Sequence, residues 1–359
     1  MSNYLGILIT SYLYNKTRKQ IPTHECLSFY EDACNEYGLT PCFFRISDIE
    51  VRDKNIKALV KMENGEYSLK KLTKPTVIHN RGLGFQKKDQ NKIELLQREG
   101  VIIFNECTRY QKIDIHNFLI KNKKISQHLP ETHPANTNNF YHMLKRHKEI
   151  LIKPNNGTLG KGIIKLTQKN NDMWLLMSMG KEQLFSVKRK WPKELETFIS
   201  NSANIIQQRI SLATYQGNPF DIRVSVQKNR YGEWQISGMV AKVAKKGMFV
   251  TNVASGGKCY LLETILNNDR SIDENKVKKD IEKFSLLIAD QLSTELPTLA
   301  DVGLDVGLTK EDFPMLIECN ARDQRYSFKE AGLYNEWKET YFTPVGYAKY
   351  LMEKKDKGS

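Results

Sequence analysis

The chain begins with short apolar runs separated by polar, helix-spaced stretches. Residues 5–10 form a compact apolar run that predicts a buried strand. Residues 24–37 carry helical spacing, with Thr23 placed to cap them. Residues 41–46, 76–80 and 101–105 predict further strands. Residues 89–100 predict a helix with face positions at Ile93, Leu96 and Gln97, closed by Gly100. This βαβ-like alternation predicts a small parallel α/β lobe over residues 1–105. From 106 to 206 the pattern changes to helices at 112–121 and 139–148, with a Leu129-Pro130-Glu131-Thr132 turn between them. Strands at 149–153 and 162–167 flank a glycine loop, a third strand follows at 172–177, and a helix at 192–200 closes the lobe. Strands then recur at 205–210, 222–227, 234–243, 302–308 and 315–319, crossed by one long helix at 275–296, so that 207–352 form a third lobe. Residues 353–359 have the composition of a frayed charged tail.

The late strands carry the most specific chemistry. In Glu318-Cys319-Asn320 the first and third side chains share a face, because strand side chains alternate. Asp305 lies at the end of a neighbouring apolar strand. Buried strands ordinarily read as unbroken apolar runs, so acidic residues there need a partner cation. Asp305, Glu318 and Asn320 offer carboxylate and carbonyl oxygens, the donor set of Mg²⁺; a surface strand end is the alternative. Upstream, the loop 155–162 joins two strands and contains Gly157, Gly160 and Gly162. Its glycines leave backbone N–H groups free to approach phosphate, and Lys153 stands just before them as a point charge. The loop joins two strands and Lys161 is followed by glycine, which disfavours a P-loop. A plain bulged hairpin is the alternative for this loop. Asp221 and Arg223 share a strand face, Arg223 presenting a fork to phosphate and Asp221 orienting it or sitting near a ribose; a surface ion pair is the alternative. Gln207-Gln208-Arg209-Ile210 ends a strand and could meet an adenine edge, or be an ordinary strand end. The segment 251–258, with Asn252 and two glycines, could donate N–H groups to an oxyanion or form a plain turn.

Composition narrows the partners. A formal charge of +14 and a pI near 9.3 attract anions: nucleotide, acidic polymer, nucleic acid or an anionic surface. The lysines are scattered, and nothing resembles a basic helix, a zinc finger or an aromatic RNA platform, so nucleic acid is not the expected partner. No apolar run reaches the ~18 residues of a membrane span, and the N-terminus lacks a basic leader. Six cysteines, at 26, 34, 42, 107, 259 and 319, form no CxxC pair and fit reduced thiols in the cytoplasm. The histidines are not expected to build a metal site, since His128/His133 and His142/His147 are five apart rather than i,i+4. No nucleophile elbow or Cys–His signature is present.

Taken in order, these segments resemble the ATP-grasp superfamily, and within it the YheC/YheD endospore coat-associated family. The likeness rests on Asn80-Arg81-Gly82, on His128-Leu-Pro-Glu-Thr132, on Phe220-Asp-Ile-Arg-Val-Ser-Val-Gln227, on Asn252-Val-Ala-Ser-Gly-Gly257 and on Pro344-Val-Gly-Tyr-Ala348. The resemblance implies a pre-ATP-grasp α/β lobe followed by a two-lobed ATP-grasp fold, α/β and α+β together. It implies ATP and Mg²⁺, with Lys112 and Lys153 on phosphates beside Gly157, Gly160, Gly162, Asp221 and Asn252. Gln207, Gln208 and the Arg209–Ile210 backbone would meet adenine. Arg223 and Lys242 would face the γ-phosphate, and Asp305, Glu318 and Asn320 would hold the metal, Asn320 also serving catalysis. The implied activity is ligation of a carboxylate to an amine or thiol through an acylphosphate. The alternative is a nucleotide-binding spore coat protein without turnover, docking on coat components or an acidic polymer. One departure stands out: related chains often continue Glu-x-Asn with a Pro-Gly turn, where this chain has Ala321-Arg322-Asp323-Gln324, which bears on the substrate-side loop.

Overall fold

The computed structural model describes residues 3–83, 86–157, 162–267 and 273–358. Its described strands form three sheets. In the first, the order is Tyr67–Thr73, Asn55–Lys61, Thr40–Phe44, Tyr4–Leu8, Val77–Asn80, Ile102–Phe104. The last four strands pair in parallel, as the alternation predicts. The first two form an antiparallel hairpin that the pattern does not show. Its outer strand buries only Leu72 and so has no apolar alternation. The helix Leu27–Glu36 begins three residues later than expected, and Thr23 does not cap it. The Thr23 hydroxyl donates to the Glu25 carbonyl instead (2.9 Å).

The second sheet is wholly antiparallel, in the order Lys181–Ser186, Met173–Ser178, Ile164–Gln168, Glu149–Pro154, Asn204–Gln208, Thr132–Pro134. The helices Thr137–Arg146 and Lys193–Ser200 cover one face, burying Phe140, Met143, Leu195 and Ile199 against Ile150, Ile152, Ile164 and Trp174. The third sheet runs Lys258–Tyr260, Trp234–Val243, Asn218–Lys228, Asp301–Leu308, Pro314–Asn320, again antiparallel. The long helix Glu274–Glu295 lays Val277, Ile281, Phe284, Ile288 and Leu292 on it. Residues of the helices Lys112–Leu119 and Lys123–Ser126, among them Ile115, Leu119 and Ile125, pack into this same core and not into that of the second sheet.

A C-terminal helix, Tyr334–Gly358, was not evident from the pattern and takes in most of the expected tail. Residues 353–358 are therefore helical, and Lys355 donates to the Gly100 carbonyl at 2.5 Å. Trp337, Tyr341, Val345 and Ala348 of this helix join the core of the first sheet beside Leu27, Tyr30 and Ala33. Pro344 sits inside it and removes the N–H that would bond to Thr340. That carbonyl accepts the buried Gln227 amide instead (2.9 Å). No described helix is long and apolar enough to cross a membrane.

Candidate functional site

A cleft opens between the second and third sheets. Lys112, Lys153, Gly157 and the run Gln207–Ile210 line one wall; Asp221, Arg223, Lys242, Asn252, Asp305, Glu318 and Asn320 line the other. These side chains come from segments more than 200 residues apart in the chain. Gly162 turns with φ +69° against Pro154 and is not in the lining. Gly160 lies outside the described residues.

Asp305 is in the middle of the strand Asp301–Leu308, not at its end. Its register partners are Arg223 on one side and Glu318 on the other. The register slips between Asp305 and Val306, so Ile317 has no partner. A bulge of this kind re-aims side chains; Ile317 and Glu318 both face the cleft. Gly303 is required nearby, because a Cβ there would strike Asp323 and crowd Arg223.

Arg223 forks onto Asp305, Nε to Oδ1 at 2.9 Å and Nη2 to Oδ2 at 3.1 Å, while Nη1 reaches Asp323 Oδ1 at 3.0 Å. Lys242 Nζ lies 2.7 Å from Asp305 Oδ1 and 3.0 Å from Asp221 Oδ1. The second contact is an ion pair without hydrogen-bond alignment. Thr251 donates to the other Asp221 oxygen. Asp221 therefore holds Lys242 in place of the expected Arg223, and both pairs are buried instead of lying on the surface. The cause is register: Asp221 stands opposite Lys242 across the sheet. Burial pushes the Asp305 carboxyl up, but Arg223 and Lys242 outweigh it and hold the group well below the usual carboxylate range. Burial raises Asp221, with Lys242 only partly opposing. Lys242 is depressed by burial and raised on balance by its two carboxylates.

On the other wall, Asn155 accepts the Ile113 N–H at 3.0 Å and its carbonyl takes the Lys112 N–H at 3.1 Å, fixing the start of that helix to the glycine loop. Lys112 Nζ then reaches Glu318 Oε1 (3.0 Å) and the Gly157 carbonyl (2.7 Å). Lys153 is only 6% exposed. Its ammonium has no hydrogen bond or ion pair among the described residues. Burial pushes it down to about 8; Glu318 draws it back up and Lys112 pushes it further down. An unpaired buried ammonium is costly, and this one points to an anion as its missing partner.

The run Gln207–Ile210, expected to meet adenine, is more committed to other partners than its sequence suggests. Gln207 donates to Thr132 (2.8 Å), the Gln208 amide oxygen accepts the Glu131 N–H (3.2 Å), and Arg209 pairs with Glu149 (2.6 Å). Ile210, beyond the strand end, has no backbone hydrogen bond among the described residues. Asn252 accepts the Ala254 N–H (2.9 Å) and caps its own turn. Asn320 donates to Asp305 at 3.4 Å, which leaves its carbonyl oxygen as a donor atom for a cation. With Asp305 and Glu318 it forms an all-oxygen set that fits Mg²⁺. Asp323, Thr251 and Ser225 were not singled out by sequence. Asp323 belongs to the departing loop, and it ties Arg223 and the Ser225 hydroxyl into the sheet.

A model of YheC/D-like ATP-grasp domains matches residues 100–351. The endospore coat-associated protein YheD of Bacillus subtilis (strain 168) is 25% identical over 325 residues, covering 87% of this chain and 71% of its own. In structure the chain is similar to the D-cycloserine synthetase DcsG, with a TM-score of 0.54 at 10% identity over 98% of this chain and 99% of that one. It is likewise similar to the VanG D-Ala:D-Ser ligase of Enterococcus faecalis, with a TM-score of 0.53 at 12% identity over 97% and 100% of the two chains. At these identities the structural likeness establishes the fold, which is that of ATP-grasp ligases. The chain belongs to the YheC/D-like ATP-grasp family.

Proposed function

We propose that the chain is an ATP- and Mg²⁺-dependent ligase that joins a carboxylate to an amine, or a thiol, through an acylphosphate. The observation that carries this reading is the buried Lys153 ammonium, without a hydrogen bond or ion pair among the described residues, in the same cleft as Asp305, Glu318 and Asn320. Polyphosphate is the anion that answers both. Asp305, Glu318 and Asn320 would hold Mg²⁺, which supplies charge neutralisation on phosphate oxygens. Lys112 and Lys153 meet the phosphates. Gln207, Gln208 and the free backbone of Ile210 form the adenine side.

Arg223 uses three of its five N–H groups on Asp305 and Asp323, leaving two for the transferring phosphoryl group. Lys242 donates a hydrogen bond to Asp305 and is ion-paired with Asp221, which leaves N–H groups of its ammonium for phosphate. These cations are held by carboxylates before substrate arrives, so stabilisation needs no reorganisation. A carboxylate oxygen attacks the γ-phosphorus and ADP departs. The amine then attacks the acyl carbon and phosphate leaves. No protein nucleophile is required, because phosphoryl transfer rests on positioning and charge. The names of the structural relatives, a D-cycloserine synthetase and a D-Ala:D-Ser ligase, favour an amino-acid substrate. YheD favours placing the chain in sporulating cells, in the cytoplasm or at the coat. We assign three lobes near the expected 1–105, 106–206 and 207–352, with residues 112–126 packed into the third-sheet core, the strand Asn204–Gln208 kept whole in the second sheet and the helix Tyr334–Gly358 packed on the first.

The deciding experiment is an ADP- and phosphate-release screen with Mg·ATP against amino acids, small dicarboxylates and peptides. Substrate-dependent ADP release is the expected result. Tight nucleotide binding with no turnover across the panel would replace the ligase by a nucleotide-binding coat protein.

A further inference from the structure

Away from the Mg²⁺ ligands, at the root of the second sheet, three of the seven histidines meet one carboxylate. His133 Nε2 lies 3.0 Å and His142 Nε2 2.9 Å from Glu131 Oε1, and His147 Nε2 lies 2.8 Å from Oε2. Glu131 and His133 come from the start of the strand Thr132–Pro134, His142 from the helix Thr137–Arg146, and His147 from the residue that ends it. The five-residue histidine spacing does not prevent this convergence, because the side chains meet across a turn and a helix rather than along one helix.

We propose that Glu131, His133 and His142 form a site for a zinc-class divalent cation, separate from the Mg²⁺ site, with His147 on the other carboxylate oxygen of Glu131. All three imidazoles turn the same atom, Nε2, toward the carboxylate. The donor atoms of Glu131, His133 and His142 lie within 4.8 Å of one another. Zinc takes nitrogen and carboxylate ligands at about 2.0–2.2 Å in a tetrahedron, so its ligand atoms stand a little over 3 Å apart, close to the 2.9–3.0 Å between Glu131 Oε1 and the two imidazole nitrogens. Imidazole nitrogen is the ligand that distinguishes this set from the all-oxygen cluster in the cleft. Arg146 Nε also touches Glu131 Oε2 (2.9 Å), but its side chain is 59% exposed and can withdraw to solvent when a cation enters.

The placement gives the metal a structural consequence. The Glu131 N–H donates to the Gln208 side chain (3.2 Å), and the Gln208 N–H donates to the Glu131 carbonyl (2.8 Å). A cation on Glu131, His133 and His142 therefore staples the first strand and helix of the second sheet behind the cleft segment Gln207–Ile210.

The test is titration of tag-free full-length protein with Zn²⁺ in excess Mg²⁺, which keeps the cleft carboxylates occupied. One Zn²⁺ is expected to bind with micromolar or tighter affinity and to raise Tm. His133→Ala and His142→Ala should each weaken binding at least tenfold, whereas His24→Ala should not. His142 is half exposed, so its truncation leaves the fold in place, as circular dichroism should verify. Co²⁺ in the wild-type protein is an independent probe: an intense tetrahedral visible spectrum supports the site, and a weak octahedral one refutes it. Absence of stoichiometric Zn²⁺ uptake, or uptake undiminished in both histidine variants, overturns the proposal.

Discussion

Asp301 and Asp305 sit four residues apart on one strand and one face, each surrounded by cations, yet they do opposite things. Asp301 is sealed. Its Oδ2 meets Arg325 at 2.5 Å, Arg81 at 3.3 Å and His79 at 3.3 Å, and its Oδ1 accepts the Gln227 amide at 2.8 Å. Those partners come from the first sheet, the third sheet and the segment before the C-terminal helix, so Asp301 joins the lobes. Asp305 meets Arg223 and Lys242 just as closely, but its cluster opens into a cleft that also holds the unanswered ammonium of Lys153. A buried network whose formal charges are paired with one another serves structure. One that leaves a charge over, beside oxygen ligands, is built for something that arrives.

The largest expected effect follows from the sealed end. Asp301→Asn leaves Arg325 and Arg81 without their shared carboxylate and should destabilise by about 3–5 kcal/mol, read by urea denaturation. Asp305→Asn should cost far less, since Arg223 retains Asp323, Lys242 retains Asp221 and the cleft admits water. Equal losses in the two variants would erase the contrast. Next is Glu318→Ala, which should abolish Mg·ATP binding or turnover while the denaturation midpoint stays near wild type. Turnover like that of the wild type in this variant removes the metal role of Glu318.

The sealed network also has a pH signature. Burial pushes His79 down to about 4, only partly opposed by Asp301. Between pH 6.5 and 4 the unfolded chain therefore takes up a proton that the folded chain refuses, and stability falls as pH drops through that window. Glu25 does not account for this loss. Despite burial, Arg81 and Arg322 hold it at about 2, so its contribution disappears only below the ordinary carboxylate range. His79→Gln should flatten the slope between pH 6.5 and 4, an effect on the order of 1–3 kcal/mol. A slope unchanged in that variant would assign the acid sensitivity elsewhere.

How much of this was legible in the sequence depends on the range of the interaction. Glu318 and Asn320 on one face follow from strand alternation, and Lys153 before a glycine loop follows from local order. The parallel strands of the first lobe declare themselves as apolar runs. Asp221 with Lys242 and Arg223 with Asp305 are matters of register between paired strands, Asp323 reaches Arg223 from a loop a hundred residues away, and no local pattern encodes either. The hairpin strand Tyr67–Thr73 escapes because it is mostly exposed. The C-terminal helix escapes because its apolar residues are shared between the helix Leu27–Glu36 and two sheets, which blurs a single stripe. Glu131 drew notice only as part of a turn; its histidines converge through a helix that brings His142 and His147 back over the strand.

Lys153 sharpens the comparison most, because it sets stability against binding. The free protein holds an ammonium in a site that depresses its pKa to about 8, so burying the charge costs stability at neutral pH. Because the unfolded lysine keeps its proton to higher pH, that cost is relieved as pH rises from 8 toward the ordinary lysine value. Lys153→Met keeps the stem and removes the charge. It should raise the Tm of the nucleotide-free protein at pH 7, with the gain shrinking above pH 8, and weaken ATP binding by about 1–3 kcal/mol in calorimetry. Wild-type affinity should fall as pH rises, since the free ammonium deprotonates before phosphate can claim it. A variant that is less stable and binds ATP as before would make Lys153 a structural residue and leave the cleft without its anion-seeking charge.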